Sequence, residues 1–236
     1  MVYFDGAGGR VHYRRWSAEQ PRAVVVLLHG LRQQSADYHR FARAANGHGI
    51  AVFGIDHLGH GLSEGEWNAQ APADHLVANV LHLVGVARAA YPGVPLVLAG
   101  HSLGAGTALV AMASGAEAVG EVSAVVLTGT PQQVLDMGVA PPPVPTLALH
   151  GTEDRIAPIE PVRAWAAGTR CVVREFAGAG HDLLHEPDHR LVTRAVLDFV
   201  LAAGNASEDE RRRPAGISLR LGEQLAQARP VRLIQR

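Results

Sequence analysis

The chain has 236 residues, 47% of them hydrophobic and 18% charged, with a formal net charge of −1. That length suits one domain with a sizeable core or two small ones, and the near-neutral balance supplies no overall field for nucleic acid or an anionic membrane. No apolar run reaches the roughly 18 residues of a membrane span, and the single cysteine, Cys171, leaves no internal disulfide to form.

Taken in chain order, Val2 to Phe4 and Val11 to Trp16 flank Asp5-Gly6-Ala7-Gly8-Gly9 and predict a β-hairpin. The first ten residues are polar and glycine-rich, without a signal-peptide core. Together with the lone cysteine this leads us to expect a cytoplasmic protein. Ala23 to Leu28 is a Val/Leu run bounded by Pro21 and Gly30, the pattern of a buried central strand. A helix is predicted from about Tyr38 to His48, then a strand over Ile50 to Ile55. From Asp74 to Tyr91 the apolar residues Leu76, Val80, Leu83, Val84 and Ala87 recur at helical spacing and stop before Pro92. Leu96 to Ala99 reads as a strand and Ala105 to Ala113 as a helix. Ser123 to Leu127, Thr146 to His150 and Arg170 to Phe176 read as further strands, and His189 to Leu201 as a closing helix. Cys171 falls in the last of these strands and is expected to be a buried structural thiol.

Strands alternating with helices at this spacing argue for an α/β fold with a mostly parallel central sheet and helices on both faces. Gln132 to Pro145, with Pro141-Pro142-Pro143 and Pro145, predicts a stiff extended connector. Beyond residue 204 the chain turns polar, and the Glu208-Asp209-Glu210 and Arg211-Arg212-Arg213 runs largely cancel. Ile217, Leu221, Leu225 and Ala228 then recur at helical spacing. We therefore divide the chain into a domain over residues 1–204 and a C-terminal extension over 205–236. The extension's amphipathic face is free to cover a neighbouring surface or to join two copies of the chain.

The stretch that carries chemistry is Gly100-His101-Ser102-Leu103-Gly104. A serine flanked by glycines, between a strand and a helix, fits a nucleophile elbow: a tight, strained turn that exposes the hydroxyl. A serine hydroxyl needs a base within reach and a carboxylate to orient that base. In an open parallel sheet these groups belong on loops at the carboxyl ends of strands. Asp154, in His150-Gly151-Thr152-Glu153-Asp154, and His181, in Gly178-Ala179-Gly180-His181, each fall just past a predicted strand and in that chain order. The competitors are Glu153 for the carboxylate, and His185 and His189 among 13 histidines for the base. An oxyanion would need backbone donors: the N–H of Leu103, after the serine, and that of Leu31, in the His29-Gly30-Leu31 turn. Asp56-His57-Leu58-Gly59-His60-Gly61-Leu62-Ser63 lacks a clean metal-ligand spacing. It reads as a supporting loop in which Asp56 and His57 form hydrogen bonds that hold its neighbours. No metal and no cofactor are expected.

At these residues the chain resembles the α/β-hydrolase superfamily, and within it the monoglyceride lipase and lysophospholipase-like serine hydrolases. The matching stretches are His29-Gly30-Leu31, the run from Asp56 to Gly65, Tyr91 to Pro95 leading into the Ser102 elbow, His150 to Asp154 and Gly178 to His181. The resemblance implies Ser102 as nucleophile, His181 as base, Asp154 as orienter and the Leu31 and Leu103 amides as oxyanion hole. It also implies a small-molecule carboxylic ester as substrate, with glycerol or lysophospholipid esters the family's usual ones. Those lipases carry a long cap where this chain has only Gly129 to Pro145, so the cap is expected to be nearly absent and the site open. A thioesterase, lactonase or acyltransferase using the same three residues is the alternative, and a hydrolase-like binding protein is a third reading.

Overall fold

The computed structural model describes residues 2–67 and 70–205. The hairpin closes as β1 (Val2–Gly6) against β2 (Gly9–Trp16), one antiparallel pair. Six further strands follow: β3 (Ala23–Leu28), β4 (Ile50–Ile55), β5 (Leu96–His101), β6 (Val122–Thr128), β7 (Thr146–Gly151) and β8 (Cys171–Phe176). They form one eight-stranded sheet in the order β1-β2-β4-β3-β5-β6-β7-β8. Pairing is antiparallel out to β4 and parallel from β4 through β8. Strands β3 to β7 are buried along their whole length. Their unbroken apolar composition follows from this, because helices cover both faces of a parallel sheet.

On one face Val25, Leu27, Val52 and Val126 pack against α1 (His39–Gly47) and α7 (His189–Asn205), through Phe41, Ala45, Val192 and Phe199. On the other, Val26, Leu28, Phe53 and Leu98 pack against α2 (Ala73–Ala90) and α3 (Leu103–Ala113), through Val80, Leu83, Ala105 and Leu109. From β3 the chain runs outward to β4 and then returns to β5 on β3's other side. The carboxyl ends of β3 and β5 therefore flank the point where the winding reverses, the place where open α/β sheets form their crevice.

Three short α-helices, and a 3-10 turn over Ser35–Tyr38, were not legible in the sequence. Helix α4 (Glu117–Gly120) leads into β6. Helix α6 (Ile159–Ala166) begins after Pro158 and buries Ile159, Val162 and Ala166, a spacing of three and four that a helix requires. The connector expected to be extended opens instead with α5 (Gln132–Asp136), which buries Val134 and packs beside α3 and α6. Pro131 precedes this turn, and the other prolines begin only at Pro141, so nothing in 132–140 forbids a helix. Trp165 of α6 donates its indole N–H to the Val139 carbonyl at 2.8 Å, anchoring the segment. The result is a modest cap rather than a bare linker. Cys171 lies on the edge strand β8 and is half-buried, not fully enclosed; burial still pushes its thiol up to about 12. The helix expected over Ile217 to Ala228 lies outside the described residues. Among the described residues no helix is long and apolar enough to cross a membrane.

Candidate active site

Strand β5 ends at His101, and the next residue turns sharply. Ser102 has φ 50° and ψ −113°, a backbone conformation that non-glycine residues rarely adopt. Its N–H donates to the Thr128 carbonyl at 2.9 Å, fixing the turn to the end of β6. The flanking glycines are demanded by contact. A Cβ on Gly100 would overlap the Gly104 carbonyl, and one on Gly104 would overlap the Leu28 carbonyl. The serine is therefore held where strand, helix and the neighbouring strand β3 touch backbone to backbone.

Leu31 follows β3, and with Leu103 and Ser102 it lines one cavity of about 480 Å³ between α2, α3 and α5. The N–H of Leu103 opens α3 and so has no intrahelical partner. The Leu31 turn is braced by Gln33, a residue the sequence reading passed over. The Gln33 Oε1 accepts from the Gly30 N–H at 2.9 Å and from the Tyr38 hydroxyl at 2.7 Å, while Nε2 donates to Asp182 at 2.9 Å. One amide thus ties the loop after β3 to the loop that carries His181.

Asp154 and His181 meet. The His181 Nδ1–H donates to Asp154 Oδ2 at 2.7 Å, with the carboxylate fully buried and the imidazole partly open. The other carboxylate oxygen, Oδ1, accepts the N–H groups of Ile156 and Ala157, both at 2.9 Å. Burial alone would raise the Asp154 pKa, but hydrogen bonds from His150, His181 and the Ala157 N–H outweigh it and hold the carboxyl far below the usual carboxylate range. Asp154 is thus an ionised acceptor, which fixes the His181 proton on Nδ1 and leaves Nε2 as a lone pair. The competitors are otherwise placed. Glu153 is exposed, His185 bonds Asp182 and the Asp37 carbonyl, and His189 bonds the Glu186 carbonyl.

The loops bearing Asp154 and His181 are stitched to each other. The Glu153 N–H donates to the Ala179 carbonyl at 2.9 Å, and the Gly178 N–H to the Thr152 hydroxyl at 2.9 Å. A Cβ on Gly151 would overlap the carbonyls of Ala179 and Gly180. Glu186, also missed in the sequence, straddles the histidine: its carboxylate accepts the N–H of Gly180 at 2.7 Å and that of Asp182 at 3.0 Å. Ser102 and His181 share the carboxyl end of the sheet through Thr128 and Gly129. The Ser102 N–H is bound to Thr128, and a Cβ on Gly129 would lie 2.8 Å from His181 Cε1. The His101 ring lies 4.9 Å from the His181 ring, centroid to centroid.

The loop after β4 supports this end of the sheet as expected of Asp56 and His57, Asp56 through its side chain and His57 through its backbone. Asp56 accepts from the Ser35 N–H at 2.7 Å, the Leu62 N–H at 3.0 Å and His12 Nδ1 at 2.8 Å. The His57 side chain takes no part: both ring nitrogens are buried without a partner, and the bonds come from its backbone, whose N–H donates to His29 Nε2 at 3.0 Å and whose carbonyl accepts from the His60 N–H at 2.9 Å. His29 in turn gives its Nδ1–H to the Gly30 carbonyl at 2.7 Å, so it must be neutral to play both parts. Among the described residues no group of three His, Cys, Asp or Glu side chains is disposed to hold a metal ion. A larger cleft, about 610 Å³, lies at the opposite end of the sheet beside Pro95 and Val122. Its Arg88 is committed to the Val94 and Glu121 carbonyls, and no histidine lines it.

The buried histidines predict acid sensitivity. Burial lowers His29 and His101 to about 4 and pulls His57 well below its ordinary value of 6.5. Each stays neutral in the folded chain but takes up a proton once unfolded below pH 6.5, so stability falls as pH drops from 6.5 toward 4. His185, raised by its bond to Asp182, is protonated in both states near pH 5 and does not offset this. Roughly three protons taken up on unfolding correspond to about 4 kcal/mol lost per pH unit. Thermal melts across pH 7 to 4.5 should show a steadily falling Tm, and a flat profile would contradict the burial of these rings in neutral form.

With the geometry in hand, comparison with known proteins is informative. Residues 19–144 match the family model described as serine aminopeptidase, S33. The chain is 37% identical over 161 residues to a monoacylglycerol lipase of Mycolicibacterium smegmatis, covering 67% of this chain and 55% of that protein. It is 38% identical over 93 residues to the human monoglyceride lipase, covering 39% of this chain and 31% of that one. The matched segments thus span about half of the mycobacterial relative and a third of the human one. Among solved structures, a soluble variant of the Saccharomyces cerevisiae monoglyceride lipase, in complex with a substrate analog, superposes with a TM-score of 0.73 at 15% identity, covering 87% of this chain and 96% of that one. The esterase Est1E of Butyrivibrio proteoclasticus, with ferulic acid bound, gives 0.72 at 20% identity, covering 85% and 98%. Likeness at that level of identity speaks for the fold, and the family match over more than half of the sequence for descent: the chain belongs to the serine aminopeptidase S33 family and has the α/β-hydrolase fold.

Proposed function

We propose that the chain is a serine hydrolase of carboxylic esters, with Ser102 as nucleophile, His181 as general base and acid, Asp154 as orienter and the Leu31 and Leu103 N–H groups as oxyanion donors. The observation that carries this reading is the 2.7 Å bond from His181 Nδ1 to a buried, ionised Asp154, at the carboxyl end of the sheet where Ser102 is held in a strained turn. The Ser102 oxygen attacks the ester carbonyl carbon and passes its proton to His181 Nε2. The oxyanion is met by the two amides. Collapse expels the alcohol, which takes the proton from His181. Water then attacks the acyl-enzyme, gives a proton to His181, and the acid leaves as that proton returns to Ser102.

The names of the relatives favour monoacylglycerol esters as the natural substrate class, and residues 1–204 are the unit to which we assign the chemistry. The test is a panel of a monoacylglycerol, a simple aryl ester, a thioester, a lactone and an amide offered to the full chain. Esters should be turned over at least tenfold faster, as kcat/KM, than the thioester, lactone or amide. Preference for the thioester or lactone would move the assignment to the thioesterase or lactonase alternative, and no turnover of any of them would remove it.

A further inference from the structure

We propose that the cavity beside Ser102 is a medium-chain acyl site that runs along helix α3, and that Gly106 sets its width. This deepens the ester-hydrolase reading and rests on it. The cavity, about 480 Å³, is in the size range of small-molecule pockets. Its floor is a single stripe of α3: Ser102 at the mouth, then Gly106, then Val110, residues four apart that stack on one helix face. A stripe of α2 faces it with Ala73, Leu76 and Val77, and Val134 of α5 closes it from above. Thr107 brings no free polar group, since its hydroxyl is tied to the Leu103 carbonyl at 2.9 Å. Gln70 and Gln133 are the other polar residues of the lining, and the rest of the wall offers apolar contact to whatever group extends from the serine.

Gly106 has no structural excuse. Glycine is the poorest helix former after proline, and a residue in the second turn of α3 would ordinarily be Ala. The glycines at 100 and 104 are forced by backbone contact, whereas a Cβ on Gly106 would meet nothing nearer than Pro131 Cγ and Val134 Cβ, both at 3.9 Å. The space it leaves is the cavity itself. Leu103 to Val110 is seven helical steps, roughly 10 Å. Carbon–carbon bonds of about 1.5 Å in an extended zigzag fill that length with roughly eight carbons. An acyl chain of that size is covered from carbonyl to tip, and carbons beyond Val110 leave the stripe.

The experiment measures kcat/KM of the full chain for acetyl, butyryl, octanoyl and palmitoyl esters, alongside octanoate binding by titration calorimetry. Each methylene buried on binding multiplies affinity about fourfold. The native chain should therefore gain at least tenfold from acetyl to octanoyl and nothing further to palmitoyl. Gly106→Leu should cut the octanoyl-to-acetyl ratio at least tenfold and weaken octanoate binding in step, while Gly106→Ala, which fits the measured space, shifts both in the same direction by less. An unchanged ratio in folded Gly106→Leu, or a further tenfold rise from octanoyl to palmitoyl, would overturn the proposal. If no ester is turned over, the hydrolase reading fails by itself, and the binding titration alone then decides: equal octanoate affinity in native and Gly106→Leu chains rejects the acyl site.

Discussion

Ser102→Ala should lower ester turnover by roughly a millionfold, the scale seen when a triad serine is removed, while leaving the melting temperature within a few degrees. Both halves of that expectation come from the turn. The Ser102 backbone is pinned by its N–H bond to Thr128 and by its carbonyl, which accepts the Gly106 N–H at 3.0 Å. Alanine keeps both bonds and is no worse than serine at positive φ, so the strain is unchanged. What is lost is the one oxygen that can form the acyl-enzyme. The Leu31 and Leu103 amides, which we propose as the oxyanion donors, remain, and their residual effect over water should be all that survives. Steady-state assays with a burst-phase control separate this from a mere fall in active fraction, since the native chain should show a burst and the variant none.

Asp154→Asn should cost about 10⁴ in kcat, the scale of the equivalent change in a serine protease, and the structure says why so isosteric a change would do so much. Asp154 Oδ1 accepts two backbone N–H groups, from Ile156 and Ala157. An asparagine must keep its carbonyl oxygen there to satisfy them, which turns its NH₂ toward His181. A donor then faces Nδ1, so the imidazole must present Nδ1 as acceptor and carry its proton on Nε2. A protonated Nε2 cannot take the proton of Ser102. Glu153→Gln is the matched control: that side chain is exposed, and its loss should leave kcat within twofold. Equal losses for the two variants would show that the loop, rather than the Asp154 carboxylate, is what matters.

How much of this could be read from the sequence depends on the range of the interaction. The elbow was legible because its causes are local: Gly100 and Gly104 are forced by contacts within or beside the turn, and the apolar strand and helix that flank it are adjacent in the chain. The placement of Ser102, Asp154 and His181 in that order was legible because each follows a strand. The braces were not. Gln33 reaches Asp182 across 149 residues, and Asp56 holds Ser35 and His12 across 21 and 44. Which polar side chain satisfies which buried partner is settled by the sheet order, where β3 and β5 are neighbours though β4 lies between them in the chain. Glu186 lies close in sequence to the residues it clamps, but a lone acid before Pro187 carries no pattern that marks it as a clamp. His57 shows a different limit: that it bonds a neighbouring loop was legible, but not that its backbone does so. A histidine beside a strand end suggests a hydrogen-bonding side chain, whereas this ring is packed against His29 at 4.6 Å between centroids and the residue bonds only through its backbone N–H and carbonyl. Short helices such as α5 and α6 fall below the length at which periodicity speaks, and they form because tertiary packing of Val134 and Val162 stabilises them.

The most direct trial of the whole arrangement is to expose the full chain to a fluorophosphonate and map the adduct by peptide mass spectrometry. One adduct should form, on the oxygen of residue 102; it should vanish in Ser102→Ala and slow markedly in Asp154→Asn. A properly folded chain that stays unlabelled, or that carries the phosphonate on some other side chain, would contradict the assignment.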